Sequence, residues 1–559
     1  MTRAARVRAA SVLALSALFA LVYGLRYGVH NQHTYLLRAA RAVRPELFAR
    51  DWLVVQATDY HPAFSALAAL LMATRHPGWA LALANVAVLA TAALLFYRLA
   101  REAAGPAALP TFLLVIGWPA FAAQHEVFGS VAVSALFANY FVPANLGSLG
   151  LLAALVLHVR GRFLWAGVAA AAAGLFHANY LVLAPPLLLL AHVFHRPTGL
   201  RPVAAELAPC ALVLLLRLPE LMAVGLDPLA AEGRRIFMTI RSPHHYVPLT
   251  FLRDFVPFFG WQLLGVVAWL GVGKPETPPA ARLRALFVAV FVLVSAATLL
   301  TTVVDVPAVA QLYVWRLAPF GVLLALVSLA AWLPEGASQV GSWARRVIVI
   351  ALLAASALAI GWRAEPGARA GVLLLAVTTA LIVAGWFGLH SSTAVWSLGA
   401  ALLALGLVHG LPGVRAEAAA LDLPLSREEE LYGWAQTTPV GALFAIPPDL
   451  DGFRLSAERA AVVDWKSTPV VPSEVCEWYR RVGLVAGLSD VTDLDSAVRG
   501  YQTMGPWRIA RLRSELGVDY VVLRSPFPRT RLPEYPVAFQ DERFIVFDVR
   551  RPAPLPTRR

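Results

Sequence analysis

From residue 9 to about residue 410 the chain alternates apolar blocks of membrane-spanning length with short polar connections. A transmembrane helix needs about 20 apolar residues, because the hydrocarbon core is about 30 Å thick and each helical residue rises about 1.5 Å. By that measure the pattern predicts thirteen spans, at 9–25, 78–97, 107–123, 139–158, 163–177, 180–195, 203–223, 252–272, 284–304, 310–332, 346–361, 370–388 and 393–410. The run from His61 to Thr74 is apolar but too short to cross, and is expected to lie at the outer interface as a helix. From Arg415 the character changes. Short β-like runs at Ala442–Ile446, Ala460–Val463, Asp519–Leu523 and Phe544–Val549 are separated by polar, helical or proline-rich stretches, which reads as a small α/β domain. The expected fold is mainly α: a polytopic helical membrane domain over 1–412 and an extracytoplasmic α/β domain over 413–559.

Composition agrees. Of 559 residues, 59% are hydrophobic and only 14% charged, too few to cover a soluble surface of that size. The net charge of +13 is almost all arginine, 45 of them against Lys274 and Lys466 alone. These arginines are scattered between apolar blocks instead of being gathered on one face, which suits topology-setting loops and argues against nucleic acid as a partner. With the N-terminus cytoplasmic, the inner connections carry Arg98, Arg101, Arg160, Arg162, Arg196, Arg201, Lys274, Arg282, Arg284, Arg345 and Arg346. The short outer connections around 124–138, 178–179 and 305–309 hold no Lys or Arg, although Arg363 and Arg369 run against the scheme. Residues 26–77, 224–251 and the tail then lie outside the bacterial cytoplasmic membrane. The run 9–25 follows Arg3, Arg6 and Arg8 as a signal peptide would, but no small-residue cleavage site follows, so it reads as a retained first helix. Cys210 in an apolar block and Cys476 in the tail are poorly placed for a disulfide and too few for a thiolate zinc site.

One long outer loop after the first helix, many further helices and an outer C-terminal domain together resemble the GT-C glycosyltransferase superfamily, nearest to bacterial members that carry such a tail. Locally, Thr58-Asp59-Tyr60-His61-Pro62 before a short apolar helix, with Phe96-Tyr97-Arg98-Leu99-Ala100-Arg101 further on, resembles a stretch of bacterial members. Phe176-His177-Ala178-Asn179-Tyr180 and Trp434-Ala435-Gln436-Thr437-Thr438-Pro439 are similar to a helix end and to a tail entry in that family. The resemblance implies transfer of a sugar from a polyprenyl-phosphate donor to a lipid, glycan or protein acceptor at the outer face, among membrane lipids. It also implies an acidic pair just after the first helix. Here that stretch reads Asn31-Gln32-His33-Thr34-Tyr35, and an amide cannot take a proton as a general base. Either the acid has moved along the loop or the protein is a non-catalytic GT-C scaffold.

Transfer chemistry needs a carboxylate to activate the acceptor and a cation for the leaving phosphate. Asp51, beside Trp52, is the first nominee for the base. Asp59 and Glu126 follow, with loop salt bridges, helix caps and solvated loop positions as the plainer readings. Arg316 and Arg217 fall inside apolar spans, where a charge is costly and normally has a partner or a ligand. A guanidinium grips phosphate through two parallel hydrogen bonds, so both are nominated as donor contacts. Arg217 has Glu220 one turn away as an alternative partner, and Asp305 is within reach of Arg316. Tyr35, His61 and the His244-His245-Tyr246 group are expected to line the substrate cavity. The paired histidines would need a third ligand from His30, His33, His61 or His125 to hold zinc, so no metal ligand or cofactor is assigned, and a divalent metal stays an open alternative without further support. In the tail, Arg454, Arg459, Lys466 and Arg480 with Trp465 and Trp478 read either as a glycan or headgroup surface, or as ordinary surface around a small Trp-containing core. A transporter is the other class, but no repeated halves or paired broken helices are visible in the sequence.

Overall fold

The computed structural model describes residues 2–121, 127–196, 199–272, 277–332 and 391–550. The spans expected at 346–361 and 370–388 lie outside these residues. The chain divides into two compact units that are not consecutive in sequence. One comprises Met1–Leu25, Ala82–Arg217 and His244–Ala418. The other joins Arg26–Leu81 and Leu218–Pro243 to Ala419–Arg559, so it takes in both long loops expected outside the membrane as well as the tail.

Among the described residues, five helical stretches are long and apolar enough to cross a membrane: Ala5–Gly24, Pro77–Trp118, Ala178–His195, Pro278–Thr302 and Val314–Ala331. Pro143–Val159 and Phe163–Phe176 are shorter apolar helices, and Pro62–Met72 is the short helix expected at the interface. Pro77–Trp118 is interrupted by a 3-10 turn at Gly105–Ala107, which separates the expected spans 78–97 and 107–123. Helices Leu252–Val272 and Ser391–Ala420 cover two further expected spans. Two spans expected to be continuous are broken. The span at 203–223 divides at Arg217 into helices Leu200–Leu216 and Leu218–Gly225. That at 310–332 divides at Tyr313, whose left-handed backbone (φ 49°) no α-helix accommodates.

Without a hydrophobic drive between helices in lipid, packing falls to small residues and buried amides. A Cβ on Gly150 would lie 2.8 Å from Ala173, so glycine lets Pro143–Val159 close on Phe163–Phe176. Irregular backbone inside such a unit must be hydrogen-bonded by the protein itself. Asn145 does this, reaching the Ala138 and Tyr140 carbonyls at 2.9 and 3.0 Å and the Asn85 side chain at 2.8 Å, while accepting from the Ala138 N–H. The segment it supports follows a small antiparallel hairpin of β1 (Val127–Gly129) and β2 (Ala135–Phe137).

The second unit is built on a five-stranded sheet of β3 (Leu443–Ala445), β4 (Ala460–Ala461), β5 (Tyr520–Arg524), β6 (Val537–Gln540) and β7 (Phe544–Asp548). The order is β4-β3-β5-β7-β6, parallel across the first three strands and antiparallel beyond. Both faces are covered. Leu443, Val521, Leu523, Ile545 and Phe547 pack to one side with Trp478 and Tyr501, and Phe444, Tyr520, Val522, Phe544 and Val546 pack to the other with Leu431 and Tyr432. Two-sided burial explains why these strands read as continuous apolar runs in the sequence. Strand β6 was not expected there, because it is an edge strand of half-buried and exposed residues whose apolar run, Val537–Phe539, is only three residues long. Ile236 and Ile240 of the segment 218–243 belong to the first of these cores, and Trp52 of the segment 26–81 packs against it.

At the centre of the unit Arg454 is fully buried between two carboxylates. Its Nε donates to Asp51 at 2.6 Å, one Nη donates to Asp464, and the other donates to the Ala461 carbonyl at 3.1 Å. Asp51 also accepts from the Ala461 and Leu53 N–H groups, capping the turn Trp52–Val55, and Asp464 accepts from the Ser467 N–H. Removing one member of a buried ion network strands the others uncompensated, at about 3–5 kcal/mol. We therefore expect Arg454→Met to destabilise this unit by about that amount, read as a lowered thermal midpoint and new protease cuts in both 26–81 and the tail. Unchanged cutting would remove the triad from this structural role.

Candidate functional site

In the membrane unit the polar cluster forms where the helices break. Helices Phe163–Phe176 and Ala178–His195 meet at His177, and helix Ala318–Trp332 is preceded by the left-handed Tyr313 and the turn Val314–Leu317. Trp315 is fully buried and anchors that turn, its Nε1 donating to Thr298 Oγ1 at 3.0 Å, while Ser134 Oγ donates to the Trp315 carbonyl at 3.2 Å. So held, Arg316 lies with its guanidinium carbon 4.9 Å from the Tyr313 ring and 5.9 Å from the Tyr180 ring. Cation–π contact of this kind orients a guanidinium by its face and leaves its edge to donate hydrogen bonds. Tyr180 is positioned in turn by a 2.7 Å hydrogen bond between its hydroxyl and Ser148, and Asn179 donates to the Leu312 carbonyl at 2.5 Å.

His245 and Tyr313 converge on the same acceptor. His245 Nδ1 and the Tyr313 hydroxyl each lie 2.8 Å from the Ala132 carbonyl, which puts the imidazole proton on Nδ1. The His244 and His245 rings are 4.2 Å apart, and Tyr246 lies 5.5 Å from Tyr313. Ala132, Val133 and Tyr313 all have positive φ. Non-glycine residues persist there only where surrounding structure over-determines them, and such residues gather at ligand sites.

The structure thus brings together Arg316, His244, His245 and Tyr246, all nominated from sequence, and adds Tyr313 and Tyr180. The segment Phe176-His177-Ala178-Asn179-Tyr180 carried a signal for Tyr180. Tyr313 carried none, since its role follows from a backbone angle. Arg217 caps helix Leu200–Leu216, with its N–H directed at the Val213 and Leu215 carbonyls. Glu126 and His125 lie outside the described residues.

Tyr35, Asp51, Asp59 and His61 belong to the second unit. Asp51 is enclosed in the Arg454 network. Asp59 is half-buried and uses Oδ1 to accept from the His61 N–H at 3.0 Å, closing the turn before helix Pro62–Met72; among the described residues its other oxygen accepts no hydrogen bond. Tyr35 packs edge-on against His61 and Phe64. Nearby turns tie these loops to the tail. Thr34 bonds Ser467, the Tyr60 hydroxyl accepts from Val471, Thr58 donates twice to Glu474, and Arg241 reaches Thr468 and the Lys466 carbonyl. Gln32, where the family resemblance implies an acid, is buried and accepts from the Gly28 N–H at 2.7 Å. In the tail Trp465 and Trp478 lie in the core, and Arg454 and Arg459 are buried and committed to the protein's own carboxylates and carbonyls. Cys210 and Cys476 are free thiols.

The crystal structure of ArnT from Cupriavidus metallidurans bound to undecaprenyl phosphate superposes with a TM-score of 0.51, over 98% of each chain, at 16% identity. Its apo form gives 0.50 over 97% of this chain and 98% of that one, at 17% identity. The chain has the GT-C fold. The Archaeoglobus fulgidus oligosaccharyltransferase tethered to an acceptor peptide matches at 11% identity and a TM-score of 0.42, covering 92% of this chain and 68% of its own. Residues 426–485 match a domain of unknown function (DUF6798), and no curated protein sequence matches the chain. The DUF6798 match runs from helix Glu430–Gln436 through Arg454 and Asp464 into helix Pro472–Ala486. It therefore contains two of the three members of the buried triad.

Next to that triad, burial pushes the Asp451 carboxyl up, but the neighbouring His33 and the Lys466 ammonium at 3.1 Å outweigh it and hold it down at about 2. A depressed carboxylate contributes stability that is complete above its unfolded pKa of about 3.9 and is lost as pH falls towards 2. Lys466→Met should raise the Asp451 pKa and move acid unfolding of the protein, followed by Trp fluorescence, to higher pH. An unmoved acid transition would show that Lys466 does not set it.

Proposed function

We propose that this protein is a membrane glycosyltransferase that moves a sugar from a polyprenyl-phosphate donor to a lipid, glycan or protein acceptor at the outer face of the bacterial cytoplasmic membrane. The observation that carries the reading is Arg316, a guanidinium held over two tyrosines at a helix break in a GT-C fold. In a low-dielectric surrounding a guanidinium is a strong ligand for a phosphate oxyanion, and it stabilises the negative charge that develops there as the sugar leaves. Similarity to a protein crystallised with undecaprenyl phosphate supports the same donor class.

In the transfer the acceptor oxygen attacks the anomeric carbon and the carbon–oxygen bond to phosphate breaks. Its electron pair stays on the phosphate, and a carboxylate takes the acceptor proton. Of the two nominated acids within the described residues, Asp51 has both oxygens engaged in a buried ion network, whereas Asp59 is half-buried and keeps an oxygen for such a proton. We assign the base to Asp59. His245 and Tyr246 supply polar and aromatic surface for the sugar, and no step calls for a metal.

A second reading, a GT-C scaffold without transfer activity, is favoured by one observation. Gln32 replaces an expected acid and is used to close a turn at Gly28. The two readings separate in reconstituted protein. Arg316→Ala should weaken undecaprenyl-phosphate binding about ten- to a hundredfold, the worth of about one charge-assisted hydrogen bond. Asp59→Asn should keep that binding and lower transfer by about 10²–10⁴. Unchanged lipid affinity in the first variant sinks the phosphate role. Lipid binding without transfer in the wild type, across donor and acceptor panels, selects the scaffold.

A further inference from the structure

The membrane unit holds a second constellation that the transfer reading does not use. His158 lies in the last turn of helix Pro143–Val159, His192 in the last turn of Ala178–His195 and Glu206 in the second turn of Leu200–Leu216. All three are buried, at 0%, 1% and 0% exposure. His158 Nδ1 is 2.9 Å from both Glu206 oxygens, and His192 Nε2 is 2.6 Å from Oε2. The cluster is remote from the Arg316 group. Tyr180 and Ser148 mark that group, and at about 1.5 Å per residue His158 is about 15 Å along its helix from Ser148, and His192 about 18 Å from Tyr180.

We propose that His158, His192 and Glu206 form a binding site for a divalent transition-metal ion, with Zn²⁺ the best fit. Three observations converge on it. First, three ligand-type side chains from three helices present their donor atoms within 4.8 Å of one another. Second, Glu206 is a carboxylate inside an apolar bundle whose ion-pair partners, among the described residues, are these two imidazoles and no Lys or Arg. A buried carboxylate is costly without a compensating charge, and a bound dication supplies it. Third, among the described residues the outer nitrogens His158 Nε2 and His192 Nδ1 have no hydrogen-bond partner, so both imidazoles are directed at Glu206 alone.

The donor set narrows the ion. Two imidazoles and one carboxylate suit zinc and its neighbours, whereas magnesium and calcium take oxygen ligands. Zinc with ligands at about 2.0–2.2 Å places its ligand atoms about 3.3–3.6 Å apart, so the present contacts of 2.6 and 2.9 Å have to open by about 0.4–1 Å, within the range of small side-chain rotations. The scaffold under the site is firm. A Cβ on Gly167 would lie 2.0 Å from the Glu206 carbonyl, so helix Phe163–Phe176 lies directly against the segment that carries the carboxylate. Cys210, one turn from Glu206, turns its sulfur to the Gly167 carbonyl at 3.6 Å and is not a fourth ligand, which leaves that position to water.

The site is independent of transfer chemistry and is tested without it. Wild-type protein purified in detergent without chelator, from zinc-supplemented cells, should carry about one zinc per chain by mass-spectrometric metal analysis. Glu206→Gln and His192→Gln should each carry less than about a tenth of that. Because a bundle variant can fail to fold, wild-type protein is also stripped with chelator and titrated with Co²⁺. The expected result is the visible d–d absorption of four-coordinate cobalt, saturating at about one equivalent and displaced by Zn²⁺. Folded wild-type protein that carries no transition metal and gives no cobalt bands at saturation overturns the site, as does full zinc content in both folded variants.

Discussion

Arg454 is the residue on which the second unit depends. A guanidinium taken wholly out of water is tolerable only with its donors satisfied, and this one is satisfied by Asp51 from the segment 26–81, Asp464 from the tail and the Ala461 carbonyl of strand β4. Two carboxylates against one guanidinium leave an excess of negative charge, and burial accordingly pushes the Asp464 carboxyl up despite the neighbouring arginine. The network joins segments about 400 positions apart in the chain, since Asp51 and Arg454 differ by 403. The loop cannot adopt its turn at Trp52–Val55, nor the tail its short helix Phe453–Ala457, without placing a charge that the other must meet. The Ile236 and Ile240 anchors add the segment 218–243 to the core of the sheet by apolar burial.

In the membrane unit a different constraint produces the polar cluster. A continuous helix satisfies its own backbone and presents its side chains to lipid and neighbours in a fixed rotation. Breaking the helix at Tyr313 frees the Leu312 carbonyl, which Asn179 meets from the break at His177. Arg316 sits beside it because the break exists. The connection between β1 and β2 adds a second irregular segment, whose Ala132 carbonyl is met by His245 and Tyr313, so the polar cluster gathers where interrupted helices and a strained turn leave backbone to be satisfied.

Much of the fold was legible in the sequence. Membrane-spanning blocks follow from length and apolarity, and four of the five strands of the sheet from apolar runs that mark two-sided burial. The breaks at Tyr313 and Arg217 were not legible, since a single backbone angle inside an apolar run leaves the hydropathy pattern intact. Strand β6 was missed because its apolar run, Val537–Phe539, is too short to mark two-sided burial and lies at the edge of the sheet. Of the candidate site, Arg316 stood out because a charge within an apolar span is costly, and His244-His245-Tyr246 because of their chemistry. Asp51 stood out as well, but sequence cannot tell a carboxylate offered to substrate from one committed to an arginine 403 positions away. His158, His192 and Glu206 carried no signal, being far apart in the chain and drawn together only by three helices packing.

A polyprenyl-phosphate sugar is the donor proposed for this fold. Native mass spectrometry of the gently solubilised protein tests it most directly. The expected result is a co-purifying adduct with the mass of a polyprenyl-phosphate or its glycosylated form, released on activation as an anionic lipid. Folded protein that carries no such lipid, and acquires none when a panel of polyprenyl-phosphate sugars is added, would contradict it.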